Sequence, residues 1–179
     1  MKEKKAANRN WNQPQLNPNR RIALCGILIA LAMLLSYLES FVPIHMAVPG
    51  VKLGLANLVT IVALFRLGLR DTVVISVGRI VLSSVLFGNF AVLLYSLAGA
   101  FCSILAMVIL KKCKVFSVTG VSVGGAVCHN LGQIVVAVFA MENIRIFYYM
   151  AVLVLTGTVA GIAIGLLSVF VLKNIRFKS

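Results

Sequence analysis

The chain has 179 residues, of which 61% are hydrophobic and 12% are charged, and its mean hydropathy is +1.04. A soluble domain is about 45–50% apolar and about 25% charged, because charged side chains cover its surface. With 17 basic and 4 acidic residues, the chain is too apolar for a soluble enzyme, a disordered tail or a disulfide-bonded scaffold. The composition therefore predicts an all-α integral membrane protein.

The net charge of +13 would also suit a nucleic-acid binder. Most Lys and Arg residues flank apolar runs, however, so the predicted partner is a lipid bilayer and not a nucleic acid. The cysteines lie in or beside the apolar runs without a Cys-x-x-Cys pair, and we interpret them as small packing residues: Cys25, Cys102, Cys113 and Cys128.

In chain order, a polar and basic tail over residues 1–20 precedes a membrane domain over residues 21–179. About 20 apolar residues cross a bilayer as a helix, with a range of about 17–25. Five spans is the main alternative count, because one candidate contains several glycines and polar residues. The apolar runs give six candidate spans: Ile22–Leu38, Leu53–Leu69, Thr72–Phe87, Phe90–Leu110, Val115–Met141 and Phe147–Leu172.

The distribution of basic residues favours six spans with both termini in the cytoplasm. In that arrangement 14 of the 17 Lys and Arg residues lie in cytoplasmic segments, two lie in outer loops and Arg79 lies within a span. Cytoplasmic loops of membrane proteins carry an excess of Lys and Arg, and an odd number of spans would break this asymmetry. The prediction is a six-transmembrane-helix bundle.

The third span carries a polar stripe. Thr72, Ser76, Arg79 and Ser83 follow steps of 4, 3 and 4 residues and therefore share one helix face. An ionisable side chain inside a membrane span is costly unless it is paired or lines a cavity, so we predict that Arg79 binds a ligand. The alternative is an Arg that snorkels or pairs with a carbonyl to fix packing.

A second polar cluster, His129, Asn130 and Gln133, lies on the fifth span, where His129 and Gln133 share a face. We predict that the three side chains line a pocket. The alternative is a clamp of hydrogen bonds between helices, worth about 0.6 kcal/mol on average.

The first outer connection, residues 39–52, is long and apolar, and we interpret it as a lid or binding loop. Glu39, Lys52 and Asn57 gather where it meets the spans, and Tyr95 is expected at a similar depth, where an interfacial aromatic belt is the alternative. Glu39 is expected to neutralise Arg79 or Lys52, or to touch the ligand.

The excess of basic side chains in this predicted site indicates a ligand with an anionic or electron-rich oxygen end. The abundance of apolar residues suggests that the rest of the ligand is greasy or flat, against an apolar wall.

No catalytic chemistry is predicted. There is no G-x-x-x-x-G-K-[ST] phosphate loop, and the four acids are too scattered to hold a metal or the magnesium ions of a prenyl-diphosphate synthase: Glu3, Glu39, Asp71 and Glu142. We therefore expect neither a cofactor nor enzymatic activity.

Two stretches, PGVKLGLANLVTIVALFRLGLRD (Pro49–Asp71) and GGAVCHNLGQIVVA (Gly124–Ala137), resemble the Gx transporter family, also labelled heptaprenyl diphosphate synthase component I. That family resembles the substrate-binding S components of energy-coupling factor transporters. The resemblance covers residues 21–172 and implies a bundle in the bacterial plasma membrane that captures a scarce small molecule from outside.

In such S components, small residues of the first helix dock onto a transmembrane coupling (T) subunit, which two cytoplasmic ATPase subunits drive. Ala23, Gly26 and Ala30 match those positions, and Gly26-x-x-x-Ala30 is a step that permits close helix approach. The family's similarity to proteins encoded near flavin- and quinone-linked electron-transfer systems implies a quinone or isoprenoid precursor, or another vitamin-like compound, as the ligand.

Three functions are compatible with the sequence. The first is an uptake subunit that binds a solute and has no chemistry of its own. The second is a non-catalytic membrane component of heptaprenyl diphosphate synthase, which would co-purify with a soluble, Asp-rich partner. The third is an assembly factor for an electron-transfer complex, which would bind no small ligand.

Overall fold

The computed structural model describes residues 17–41, 54–142, 148 and 150–174. Each helix in these ranges begins and ends within a few residues of a candidate span, so the all-helical architecture predicted from hydropathy is confirmed. The described residues form six helices and no strand: α1 Pro18–Ser40, α2 Leu55–Arg66, α3 Leu69–Phe87, α4 Phe90–Lys112, α5 Val118–Met141 and α6 Met150–Asn174.

Helices α1, α4, α5 and α6 are long and apolar enough to cross a bilayer. Helix α2 has 12 residues, and at about 1.5 Å per residue it rises roughly 18 Å, less than the hydrocarbon thickness of about 30 Å. Helix α3 has 19 residues but carries Arg70, Asp71 and Arg79. The four long apolar helices indicate a multi-pass membrane protein.

The outside of the bundle is apolar, as expected for a surface that faces lipid. Ile22, Val85 and Phe101 are 72%, 76% and 70% exposed, and many other large apolar side chains are exposed along α1, α3, α4 and α6. A soluble monomer rarely exposes so extensive an apolar surface, because contact with water is unfavourable. In a bilayer the same surface contacts acyl chains.

Helix α2 lies at the centre of the bundle, and every residue from Val59 to Phe65 is buried. One of its faces packs on α1 and α3, and the other packs on α4, α5 and α6. Because neighbouring helices surround it, α2 does not have to match the thickness of the bilayer. Its N-terminal end is thereby placed inside the bundle.

Helices α5 and α6 pack with their backbones close together. Gly157, Gly161 and Gly165 recur every four residues on one face of α6. A Cβ atom at Gly161 would lie 2.7 Å from Val123 Cα of α5, and one at Gly165 would lie 2.7 Å from Thr119 Cα. Small residues at such a step let membrane helices approach closely. The repeat fixes α5, and with it the polar side chains that α5 carries.

One end of the bundle, which we call the basic end, is held by Arg21, Arg66, Asp71 and Lys111. Arg21 Nε in the first turn of α1 donates to both carboxylate oxygens of Asp71, at 2.8 and 2.9 Å. Asp71 lies in the first turn of α3, where a negative charge also favours the helix dipole. This ion pair joins the N-terminal ends of α1 and α3.

At the same end, two basic side chains donate to carbonyl groups of the last helical turns. Arg66 Nη2 donates to the Leu172 carbonyl of α6 at 2.5 Å, and Lys111 Nζ donates to the Leu64 carbonyl of α2 at 2.6 Å. Such carbonyls have no partner within their own helix. The C-terminal ends of α2, α4 and α6 therefore meet here, so these three helices run in the same direction, antiparallel to α1 and α3.

Candidate functional site

A cavity of about 170 Å³ lies among the helices, away from the basic end. Eight of its described lining residues have polar or charged side chains and the other five are Gly or Ala, so no large apolar side chain contributes to the described lining. The lining draws on all six helices: Ser36, Glu39, Gly54, Ala56, Asn57, Arg79, Ser96, Ala126, His129, Asn130, Gln133, Gly157 and Ala160.

Arg79 reaches the cavity because the polar stripe of α3 faces the inside of the bundle. Thr72 and Ser76, on the same stripe, are 0% and 2% exposed. Ser76 Oγ lies 3.4 Å from Thr60 Oγ1 of the central helix α2. The stripe therefore contacts protein and not lipid, and Arg79 is placed about three turns from the basic end.

The Arg79 guanidinium is only partly satisfied by the protein. Its Nη1 donates to Ser36 Oγ of α1 at 3.4 Å, which is long for a hydrogen bond. Its Nε is buried and has no hydrogen-bond partner among the residues that the structure describes. Leaving a buried donor unpaired costs about 1–3 kcal/mol, and more for a charged group. Arg79 thus retains donor capacity beside the cavity.

Glu39 has a structural role that the sequence left undecided. Its carboxylate is 6% exposed and accepts from the backbone N–H groups of Gly54 at 2.7 Å and Leu55 at 3.2 Å. Gly54 precedes α2 with a φ of +75°, a conformation that favours glycine. Glu39 thereby joins α1 to the N-terminus of α2, and within the described ranges it forms no ion pair with Arg79.

His129 and Gln133 lie against a glycine of α4. A Cβ atom at Gly99 would lie 2.9 Å from His129 Cε1 and 2.9 Å from Gln133 Cγ. Any larger residue at position 99 would therefore displace the two side chains. The Gln133 amide makes no hydrogen bond within the described part of the chain, and neither does the amide of Asn57 on α2.

Asn130 is held by α6. Its Nδ2 donates to the Leu153 carbonyl at 2.7 Å, and a Cβ atom at Gly157 would lie 2.6 Å from the same nitrogen. Asn130 therefore acts as the hydrogen-bond clamp between helices that was the alternative interpretation, while it also lines the cavity.

Seven lining residues were not predicted from the sequence: Ser36, Gly54, Ala56, Ser96, Ala126, Gly157 and Ala160. Gly99, which contacts His129 and Gln133, was not predicted either. Ser36 precedes Glu39 by three residues and shares its helix face, which is a signal that the sequence carries. Gly99 acts only through side chains of α5, so no pattern within its own helix reveals it, whereas Gly157 belongs to the glycine repeat of α6.

The other predicted binding residues lie elsewhere. Tyr95 is half-buried on α4 and is not among the lining residues, whereas its neighbour Ser96 is. Lys52, together with the predicted lid from residue 42 onwards, lies outside the described residues.

The predicted docking residues Ala23, Gly26 and Ala30 are all exposed on α1. A Cβ atom at Gly26 would meet no atom within 4 Å, so this face of α1 is open, whereas the opposite face, with Cys25 and Ile29, packs on α2 and α3.

Within the described ranges, no group of three His, Cys, Asp or Glu side chains is placed to hold a metal ion. The four cysteines are free thiols. The cavity thus offers guanidinium, amide, imidazole and hydroxyl groups, which suit hydrogen bonding and anion binding.

Fold and site together define the class of protein: a multi-pass membrane bundle with a polar cavity among its helices. The model of one protein family, described as heptaprenyl diphosphate synthase component I, matches residues 28–171. The chain belongs to this family, which confirms the resemblance seen in its two characteristic stretches. No curated protein and no solved structure matches the chain.

Proposed function

We propose that the chain is the membrane-embedded substrate-binding subunit of an energy-coupling factor type transporter, which captures a small molecule from outside the cell. The observation that carries this proposal is the cavity itself, which is lined by Arg79, Asn57 and Gln133 with hydrogen-bonding groups left open. Polar side chains in a membrane protein are expensive, and a ligand that completes their hydrogen bonds explains their presence.

In this proposal all six helices form the membrane bundle and both termini are cytoplasmic. The basic end faces the cytoplasm, because Lys and Arg accumulate on that side of bacterial membrane proteins. The cavity then lies in the outer half of the bundle, near the C-terminal end of α1 and the N-terminal end of α2. A ligand arriving from outside would meet this half first.

The transporter proposal also names partners. A transmembrane coupling subunit docks on α1 at Ala23, Gly26 and Ala30, and two cytoplasmic ATPases drive it. The exposure of these three small residues and the open space beside Gly26 support this, since helices approach closely at such positions.

The family description supports a second candidate, a non-catalytic membrane component of heptaprenyl diphosphate synthase. In this role the chain would recruit a soluble subunit that supplies the Asp-rich magnesium sites, because its own four acids are far apart in the sequence. In both candidate functions the chain binds and does not catalyse.

Native mass spectrometry of the full chain, purified from its own membrane in mild detergent, distinguishes the two. The transporter subunit is expected to carry a small molecule and to travel with the coupling and ATPase subunits. A synthase component is expected to travel with a soluble Asp-rich subunit. Wild-type protein that carries no small molecule would contradict the transporter proposal.

A matched pair of variants links the bound molecule to the cavity. Arg79→Ala removes the guanidinium from the lining, whereas Arg70→Ala removes an exposed guanidinium from the first turn of the same helix. The bound mass should disappear in the first variant and persist in the second.

A further inference from the structure

The size and lining of the cavity restrict the ligand. At about 170 Å³ the cavity is smaller than the roughly 300–1,000 Å³ of sites for drug-sized molecules. Its described lining contains no Leu, Ile, Val, Met, Phe, Tyr or Trp. A polyprenyl chain placed there would desolvate polar side chains without providing hydrogen bonds, which is unfavourable.

The charges of the cavity are not balanced by contacts within it. The carboxylate of Glu39 is engaged by the backbone N–H groups of Gly54 and Leu55, which lie at the positive end of the α2 dipole. The guanidinium of Arg79 has one long hydrogen bond, to Ser36, and a buried Nε without a partner in the described chain. The Glu39 carboxylate acts on Arg79 electrostatically without an ion pair in the described ranges, and the charged group with open hydrogen-bonding capacity is the Arg79 cation.

Neutral hydrogen-bonding groups complete the site. The amides of Asn57 on α2 and Gln133 on α5 line the cavity and make no hydrogen bond to the described residues. Each amide offers both a donor and an acceptor. A ligand that engages them needs polar groups besides its anionic end.

We propose that the cavity binds a small polar ligand that carries one anionic group, a carboxylate or a phosphate. The guanidinium of Arg79 holds the anion in a charge-assisted hydrogen bond, and the amides of Asn57 and Gln133 hold the other polar groups. This assignment rests on the proposed function, since it takes the cavity to be the substrate site. It replaces the greasy or flat ligand expected from the sequence.

The test uses the full chain in lipid nanodiscs, freed of bound molecules by extensive dialysis. The probes are the aqueous and the chloroform phases of a small-molecule extract of the source cells. After equilibrium dialysis against each phase, retained molecules are identified by mass spectrometry and compared with empty nanodiscs. Fragmentation distinguishes a carboxylate from a phosphate, and either one supports the assignment.

The expected result is enrichment of a small anion from the aqueous phase only. Arg79→Gln should reduce this enrichment at least about 30-fold, because truncating one partner of a buried charge pair costs about 2 kcal/mol or more, and each 1.4 kcal/mol is roughly a factor of ten. Arg70→Gln should not change it. Gln133→Leu, which preserves side-chain size and suits a membrane helix, should also reduce it, and this variant decides the question if Arg79→Gln does not yield monodisperse protein.

The experiment distinguishes failure of the proposed ligand class from failure of the proposed function. A retained quinone, prenyl diphosphate or neutral molecule, or full retention of the anion by Arg79→Gln and by Gln133→Leu, would overturn the ligand class and leave the proposed binding function intact. Retention of nothing from either phase by the wild-type protein would overturn the proposed function itself.

Discussion

The two ends of the bundle use polar side chains in opposite ways. At the basic end, Arg21 pairs with Asp71, and Arg66 and Lys111 donate to carbonyl groups of helix ends. At the cavity, Arg79 has one long contact and a buried Nε without a partner in the described chain. A cation in this protein is therefore not a sign of function by itself. What distinguishes Arg79 is that its one contact is long and that it lines a cavity.

The difference has consequences for stability. A charged hydrogen bond contributes about 1.5–3 kcal/mol, while an unsatisfied buried donor costs about 1–3 kcal/mol. Side chains of the basic end should hold the fold together, and Arg79 at the cavity should weaken the ligand-free fold. Variants in the two regions are therefore expected to separate stability from binding.

The largest effect on binding is expected for Arg79→Ala. Affinity for the ligand should fall at least about 30-fold, while the thermal stability of the ligand-free protein stays equal or rises, because an unsatisfied group is removed. Isothermal calorimetry and thermal unfolding in detergent measure the two quantities. A marked loss of stability with unchanged affinity would show that Arg79 serves packing, and that the cavity and the basic end do not differ in this respect.

Gly99→Val should have the next largest effect on binding. The added side chain meets the His129 ring and Gln133, which lie 2.9 Å from the position of a Cβ atom. Affinity should fall about tenfold, since misplacing binding groups by about 1 Å has effects of this order or larger. Gly26→Val, where the Cβ position meets no atom within 4 Å, is the control and should bind normally.

Arg66→Ala should have the opposite effects to Arg79→Ala on stability and on ligand affinity. Loss of the hydrogen bond to the Leu172 carbonyl should lower stability by about 1–3 kcal/mol and leave ligand affinity unchanged. Thermal unfolding followed by far-UV circular dichroism measures the change in stability. A variant that is stable but has lost the ligand would show that the basic end takes part in binding.

The smallest effect on the purified protein is expected for Gly26→Leu. Affinity and thermal stability should remain at the wild-type level, because the residue faces open space on α1. Co-purification with the coupling subunit should be lost, because a large side chain prevents close helix approach. Normal recovery of that subunit in a pull-down would contradict the assignment of the docking surface to this face of α1.

Hydropathy located all six helices, because the length of an apolar run and the need to satisfy the backbone leave few alternatives in a membrane. Polar residues within those runs were equally informative. Asn57, Arg79, His129, Asn130 and Gln133 stand out from their apolar neighbours, and the structure brings them to one cavity with Glu39.

What the sequence did not predict depends on contacts between helices. The partners of Glu39 are backbone groups of a different helix, and the effect of Gly99 is visible only once His129 is placed against it. The central position of α2 also follows from packing on both of its faces. By contrast, the glycine repeat of α6 is a periodic signal in the sequence. Like the Gly26-x-x-x-Ala30 step on α1, it is a pattern typical of close helix packing.

The central claim is that open hydrogen-bonding groups around the cavity hold a ligand. An electron cryomicroscopy structure of the full chain in nanodiscs, purified without stripping, tests it most directly. We expect non-protein density in the cavity, within hydrogen-bonding distance of the Arg79 guanidinium and the Gln133 amide. A closed cavity, in which protein groups satisfy Arg79 and Gln133 in separate, tightly packed contacts, would contradict it.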